Sequence, residues 1–65
     1  MVLTLKKNET KVESNWNDTA MNTMTRKNDI VTVETFYRYG SPKTKIMTYG
    51  EFKEWRLEIL NLRGT

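Results

Sequence analysis

The last third of the chain, Thr48 to Gly64, reads as one amphipathic helix with a signal at each end. Thr48 followed three residues later by Glu51 is a capping box. The threonine hydroxyl accepts the Glu51 backbone N–H while the carboxylate accepts the Thr48 N–H. Arg63 and Gly64 close the segment, a cation at the negative end of the helix dipole and a residue that tolerates a left-handed C′ position. At about 100° per residue, Phe52, Trp55, Ile59 and Leu62 fall on one stripe, with Tyr49 and Leu60 on its flank. Such a stripe needs an apolar surface to lie on, and in so short a chain the only partner in view is the segment just before it.

That segment carries the clearest strand pattern. Val31, Val33, Thr35, Tyr37 and Tyr39 alternate with Ile30, Thr32, Glu34, Phe36 and Arg38, a period of two in β-branched and aromatic residues. Gly40-Ser41-Pro42-Lys43 breaks the run, and Thr44 to Thr48 returns antiparallel. Proline favours the second position of a turn, which makes Ser41 to Thr44 the turn; a two-residue loop centred on Ser41 and Pro42 is the alternative. Both registers set Ile46 beside Tyr37 or Tyr39, and Met47 beside Phe36 or Arg38. The predicted floor for the helix is therefore Val31, Val33, Tyr37 and Ile46, with Ile30, Phe36 and Met47 on the half-open side.

The first half is less regular. Val2 to Lys6 is a candidate short strand with Leu3 and Leu5 on one side, and Thr10 to Glu13 a weaker one with only Val12 to bury. Ser14 to Asn28 is rich in Asn and Thr, whose side chains compete for backbone hydrogen bonds, so it is expected to be a polar loop or a short helical turn. The expected fold class is α+β: a small antiparallel β-sheet, with hairpin 30–48 and candidate strand 2–6, packed by one C-terminal helix over 49–63. One domain over 1–65 is expected, with 14–28 as its loop.

Composition removes whole classes of chemistry. A chain of 65 residues without cysteine or histidine has no disulfide and no thiolate or imidazole for structural zinc, so packing or self-association must supply its stability. The common nucleophilic arrangements need one of those two residue types. Glu54 and Glu58 sit one helical turn apart, the spacing of an ordinary solvated face as much as of a shared metal. Gly40 and Gly50 are isolated, so no phosphate-cradling loop is present. The expectation is a non-enzymatic protein that uses no cofactor, metal or small-molecule substrate. No secretory signal or membrane-length apolar run is visible, which makes a cytoplasmic location the expectation.

Binding is the remaining function, in two versions. Protein contact is the first: Leu57 points about 140° away from Phe52 on the helix, and Leu60, Trp16, Phe36 and Met47 add apolar surface of the types common at interfaces. A homodimer or a partner protein would cover it. In size and layout the plan is similar to small regulators and inhibitors encoded by phages and other mobile elements. Nucleic-acid binding is the second version. Eleven basic against eight acidic side chains give a net charge of +3, and Arg38, Lys43 and Lys45 gather round the hairpin turn with Tyr37 and Tyr39 interleaved. A basic ribbon with aromatics tracks phosphates and stacks bases, although lysines at a hairpin tip also serve simply as edge protection.

Overall fold

A computed structural model describes residues 1–14 and 19–63. Four strands, β1 (Thr10–Ser14), β2 (Ala20–Lys27), β3 (Ile30–Tyr37) and β4 (Lys43–Thr48), form an antiparallel meander in the order β1-β2-β3-β4. Helix α1 (Tyr49–Arg63) follows β4 directly and lies over β3 and β4. The α+β class and the helix bounds are those expected from the sequence.

The capping box forms as its residue types dictate. Glu51 N–H donates to the Thr48 hydroxyl at 3.1 Å and Thr48 N–H donates to the Glu51 carboxylate at 3.0 Å. The Thr48 backbone N–H, and secondarily its hydroxyl, hold the Glu51 carboxyl below its ordinary value. The Tyr49 N–H donates to the Asp29 carbonyl at 2.7 Å, which ties the helix start to the β2–β3 turn. Gly64 lies outside the described residues. Phe52 is fully buried, with Tyr49, Trp55 and Ile59 half-buried beside it, whereas Leu62 is 77% exposed. Leu62 leaves the expected stripe because the apolar floor beneath the helix is short.

That floor is set by strand register. On the helix side the cross-strand rows are Arg26–Val31–Met47, Lys11–Met24–Val33–Lys45, Glu13–Asn22–Thr35–Lys43 and Ala20–Tyr37. Only the first two rows are apolar at their centre, and Met24, Val31 and Val33 join Leu5 and Phe52 in the core.

Two expectations about the sheet are corrected. Met47 pairs with Val31 and packs against the core, while Ile46 pairs with Thr32 and points to the opposite, open face, 71% exposed. Neither expected turn forms, Ser41 to Thr44 or the two-residue loop at Ser41 and Pro42; the connection is longer, over residues 38–42, and in it Gly40 adopts φ +107°. Ending the ladder at the Thr35–Lys43 pair changes the parity of the register, and parity decides which face every side chain of β4 takes.

Of the stretch 14–28, expected to be a polar loop or a short helical turn, residues 15–18 lie outside the described residues and Ala20–Lys27 supply a central strand. Thr23 and Thr25 are good strand residues, Asn22 accepts the Thr35 hydroxyl at 2.6 Å, and Met24 alone reaches full burial. Lys27 pairs with Ile30 across a two-residue turn, where Asn28 takes φ 54°, a conformation that asparagine tolerates. Residues 2–6 do not join the sheet. They cross its helix side as an extended arm whose Leu5 is buried.

Two arginines fasten the arm. Arg56 on α1 is 2% exposed, donates from Nε to the Val2 carbonyl at 2.8 Å and from Nη2 to the Glu13 carboxylate. Glu13 in turn accepts the Val2 N–H at 2.8 Å. Arg26 on β2 donates from Nη1 to the Leu5 carbonyl at 2.9 Å, and its guanidinium lies 3.6 Å over the Tyr49 ring. The Tyr49 hydroxyl accepts the Leu5 N–H at 3.2 Å. Arg56 and Arg26 thus stand where apolar residues would be expected, and polar groups of the arm and β1 satisfy them.

Candidate functional site

The helix and arm cover only part of the inner face, because the third and fourth rows offer polar or open positions. Beyond α1, a groove of about 320 Å³ runs over this uncovered end. Asn22 and Thr35, hydrogen-bonded to each other, form its floor together with Ala20 and Val33. Tyr37, Lys43 and Lys45 line it from β3 and β4, and Trp55 lines it from the helix. Tyr37 and Ala20 are shared with a second hollow of about 300 Å³, to which Arg38, Met21 and Phe36 also contribute. The two hollows meet at the tip of the sheet.

The register explains why these residues converge. Thr35 faces Lys43 and Val33 faces Lys45, so the two lysines project from the edge strand to the same side as Tyr37. Trp55 follows Phe52 by one helical turn, with their ring centroids 6.1 Å apart, and so stands at the boundary between core and groove. Among the described residues, neither lysine has an acidic partner; the four ion pairs involve the chain terminus, Lys11, Arg26 and Arg56. Glu13 is the acid in the Lys43 row, and Arg56 already occupies it. Burial pushes the Glu13 carboxyl up, but the Val2 N–H and the Arg56 guanidinium more than offset it and hold the group below its ordinary value of 4.5. Glu13 therefore stays anionic inside the fold at neutral pH, paired with Arg56, and among the described residues no acid neutralises the lysines of the groove.

The sequence-predicted residues divide sharply. Of the basic and aromatic set, Tyr37, Lys43 and Lys45 meet in the groove, Arg38 lines the adjoining hollow, and Tyr39 projects from the connecting loop, 86% exposed. The apolar set does not form one surface. Leu57 and Leu60 are 51% and 41% exposed on the outer side of α1, Phe36 lies on the far face of the sheet, and Met47 is packed against the core. Trp16 lies outside the described residues. Five groove residues escaped the sequence reading: Trp55 and Val33, assigned to the core, and Ala20, Asn22 and Thr35. The alternation of Ala20, Asn22, Met24 and Arg26 was the signal that could have placed Asn22 on the inner face.

Edge-strand lysines also discourage edge-to-edge pairing. That role accounts for Lys43 and Lys45 but asks nothing of Tyr37, Trp55 or a hydrogen-bonded polar floor. No helix among the described residues is long and apolar enough to cross a membrane. Comparison with family models, curated proteins and solved structures finds no match for this chain.

Proposed function

We propose that the protein is a non-catalytic binding module whose ligand is a short stretch of single-stranded nucleic acid, held in the groove between α1 and the end of the sheet. The observation that carries this reading is the convergence of Lys43 and Lys45, without acidic partners among the described residues, with Tyr37 and Trp55 on one open surface. The lysines would meet backbone phosphates while the aromatic rings offer stacking surfaces to bases, a combination that tolerates any sequence. Asn22 and Thr35 add polar groups at the floor, and Arg38 extends the positive side round the tip of the sheet. A duplex is a poorer fit, because nothing in the groove projects as a helix or ribbon of major-groove dimensions.

The test is oligonucleotide binding by fluorescence anisotropy across a salt series. If Arg38, Lys43 and Lys45 each meet a phosphate, the logarithm of affinity should fall with the logarithm of salt with a slope of about −2, at roughly −0.7 per single-strand phosphate. Lys43→Glu with Lys45→Glu should abolish binding while circular dichroism stays unchanged. No binding at low salt, or binding indifferent to that pair of substitutions, would reject the groove as a nucleic-acid site.

A second reading, contact with a partner protein in a regulatory or inhibitory role, is favoured by the exposure of Leu57 and Leu60 on the outer side of the helix. A Leu57→Glu variant that keeps its fold and its oligonucleotide affinity but loses a captured protein would select that reading.

A further inference from the structure

We infer that a second copy of this chain stacks on the open face of the sheet, making a two-fold sheet-on-sheet dimer. The inner face is occupied by α1 and the arm, but among the described residues no element crosses the outer one. Five large apolar side chains stand there: Val12 (57% exposed), Met21 (41%), Ile30 (46%), Phe36 (40%) and Ile46 (71%). Met21 and Phe36 pair directly across β2 and β3, with Val12 diagonal to Met21, and Ile46 is diagonal to Ile30 at the other end. Threonines fill most of the space between, and two of them, Thr10 and Thr25, already satisfy each other through a 3.0 Å hydroxyl contact. Covering this face takes those five apolar side chains out of water.

Three observations point to a second copy as the occupant. Lys27 and Glu34 are the only charged residues that the register places on the outer face, of opposite sign and on neighbouring strands. A two-fold axis passing between their positions brings each Lys27 to the other copy's Glu34, so the surface is electrostatically complementary to itself, as an isologous interface requires. The molecule is also a slab, with Cα extents of 31 × 30 × 15 Å. Such a shape presents a broad, flat face, which a standard interface of roughly 800 Å² per partner requires. Finally, among the described residues the buried apolar core is five side chains, in a chain of 65 without cysteine or histidine, the situation in which small domains turn to oligomerisation. Two sheets packed about 10 Å apart would interleave the apolar ends and leave both grooves on the outside.

This inference is independent of what the groove binds. Sedimentation equilibrium over a wide concentration range should show a monomer–dimer transition. Ile46→Lys with Phe36→Lys should abolish the transition while circular dichroism stays unchanged. Lys27→Glu alone and Glu34→Lys alone should each weaken dimerisation about tenfold or more, and the two together should restore it by re-forming the pairs with signs exchanged. A mass that stays monomeric throughout would overturn the inference. So would a dimer indifferent to the Ile46 and Phe36 substitutions, a double charge exchange no better than the single ones, or a face whose substitution abolishes oligonucleotide binding and leaves the mass unchanged, which would make nucleic acid the occupant.

Discussion

Replacing Arg56 with alanine removes the partner of two groups at once, the Glu13 carboxylate and the Val2 carbonyl. Breaking a buried pair from one side costs about 3–5 kcal/mol, because a charge is left without compensation. A domain of this length has a total stability of only about 3–10 kcal/mol at the usual values per residue. Arg56→Ala should therefore lose about a third or more of its stability by urea titration, and Arg56→Lys should recover only part of the loss, since an ammonium cannot reproduce a planar fork that serves two acceptors. The same pair gives the molecule a pH dependence. The folded-state carboxyl of Glu13 lies below its ordinary value of 4.5, so its contribution is complete above about that pH and is lost as pH falls through the lower, folded value. In Glu13→Gln the loss of stability in acid should be shallower than in the parent, with a residual slope from Glu9 and Glu51, whose carboxyls are also held low by backbone N–H donors. Equal acid midpoints for the two proteins would show that the pair contributes nothing. None of this is visible in residue types, because an arginine on a helix with balanced charges has the same letters whether it is solvated or buried.

At the scale of elements, the helix is local and the sheet is not. Thr48→Ala should cost about 1 kcal/mol by thermal melting, the ordinary value of an N-cap, because both capping hydrogen bonds are formed and involve only neighbouring residues. Register calls for a different comparison. Met47→Asp should destabilise by about 2 kcal/mol or more, since it places a charge against the core, whereas Ile46→Lys, measured at high dilution, should stay within about 0.5 kcal/mol. The sequence reading implies the reverse order, so the pair of variants distinguishes the two registers directly. The reason for the reversal is physical: a hairpin loop is free to lengthen by an odd number of residues at little entropic cost, and each odd step exchanges the faces. Strand β2 was hidden for a related reason. Of its inward-facing residues only Met24 is fully buried, while Asn22 hydrogen-bonds to Thr35 and Arg26 to the arm, so a central strand shows almost no apolar alternation.

For the molecule as a whole, the groove and the open face are what the assembled layers leave uncovered. Covering the inner face takes a helix and an arm, and both end where the rows turn polar at Asn22 and Thr35. Filling the groove should therefore leave the fold intact: Thr35→Trp is expected to weaken oligonucleotide binding at least tenfold while costing no more than overpacking does, about 1–3 kcal/mol. Unchanged affinity in that variant would place the ligand elsewhere. By itself the sequence determined the helix from Tyr49 to Arg63, its Thr48 cap, the strand character of Ile30 to Tyr37 and the clustering of Lys43 and Lys45 near Tyr37, because capping and period-two alternation act between residues close in the chain. Only the tertiary structure decided the parity of β4, the recruitment of Ala20–Lys27 as a central strand, the burial of Arg56 and Arg26, and the place of Trp55 at the groove. Each of those depends on partner residues distant in sequence: Val31 for Met47, Thr35 for Asn22, Glu13 for Arg56, Leu5 for Arg26, and the Asn22–Thr35 floor for Trp55. Such a partner supplies the hydrogen bond or apolar contact that makes an otherwise unfavourable position stable, and no local pattern announces it.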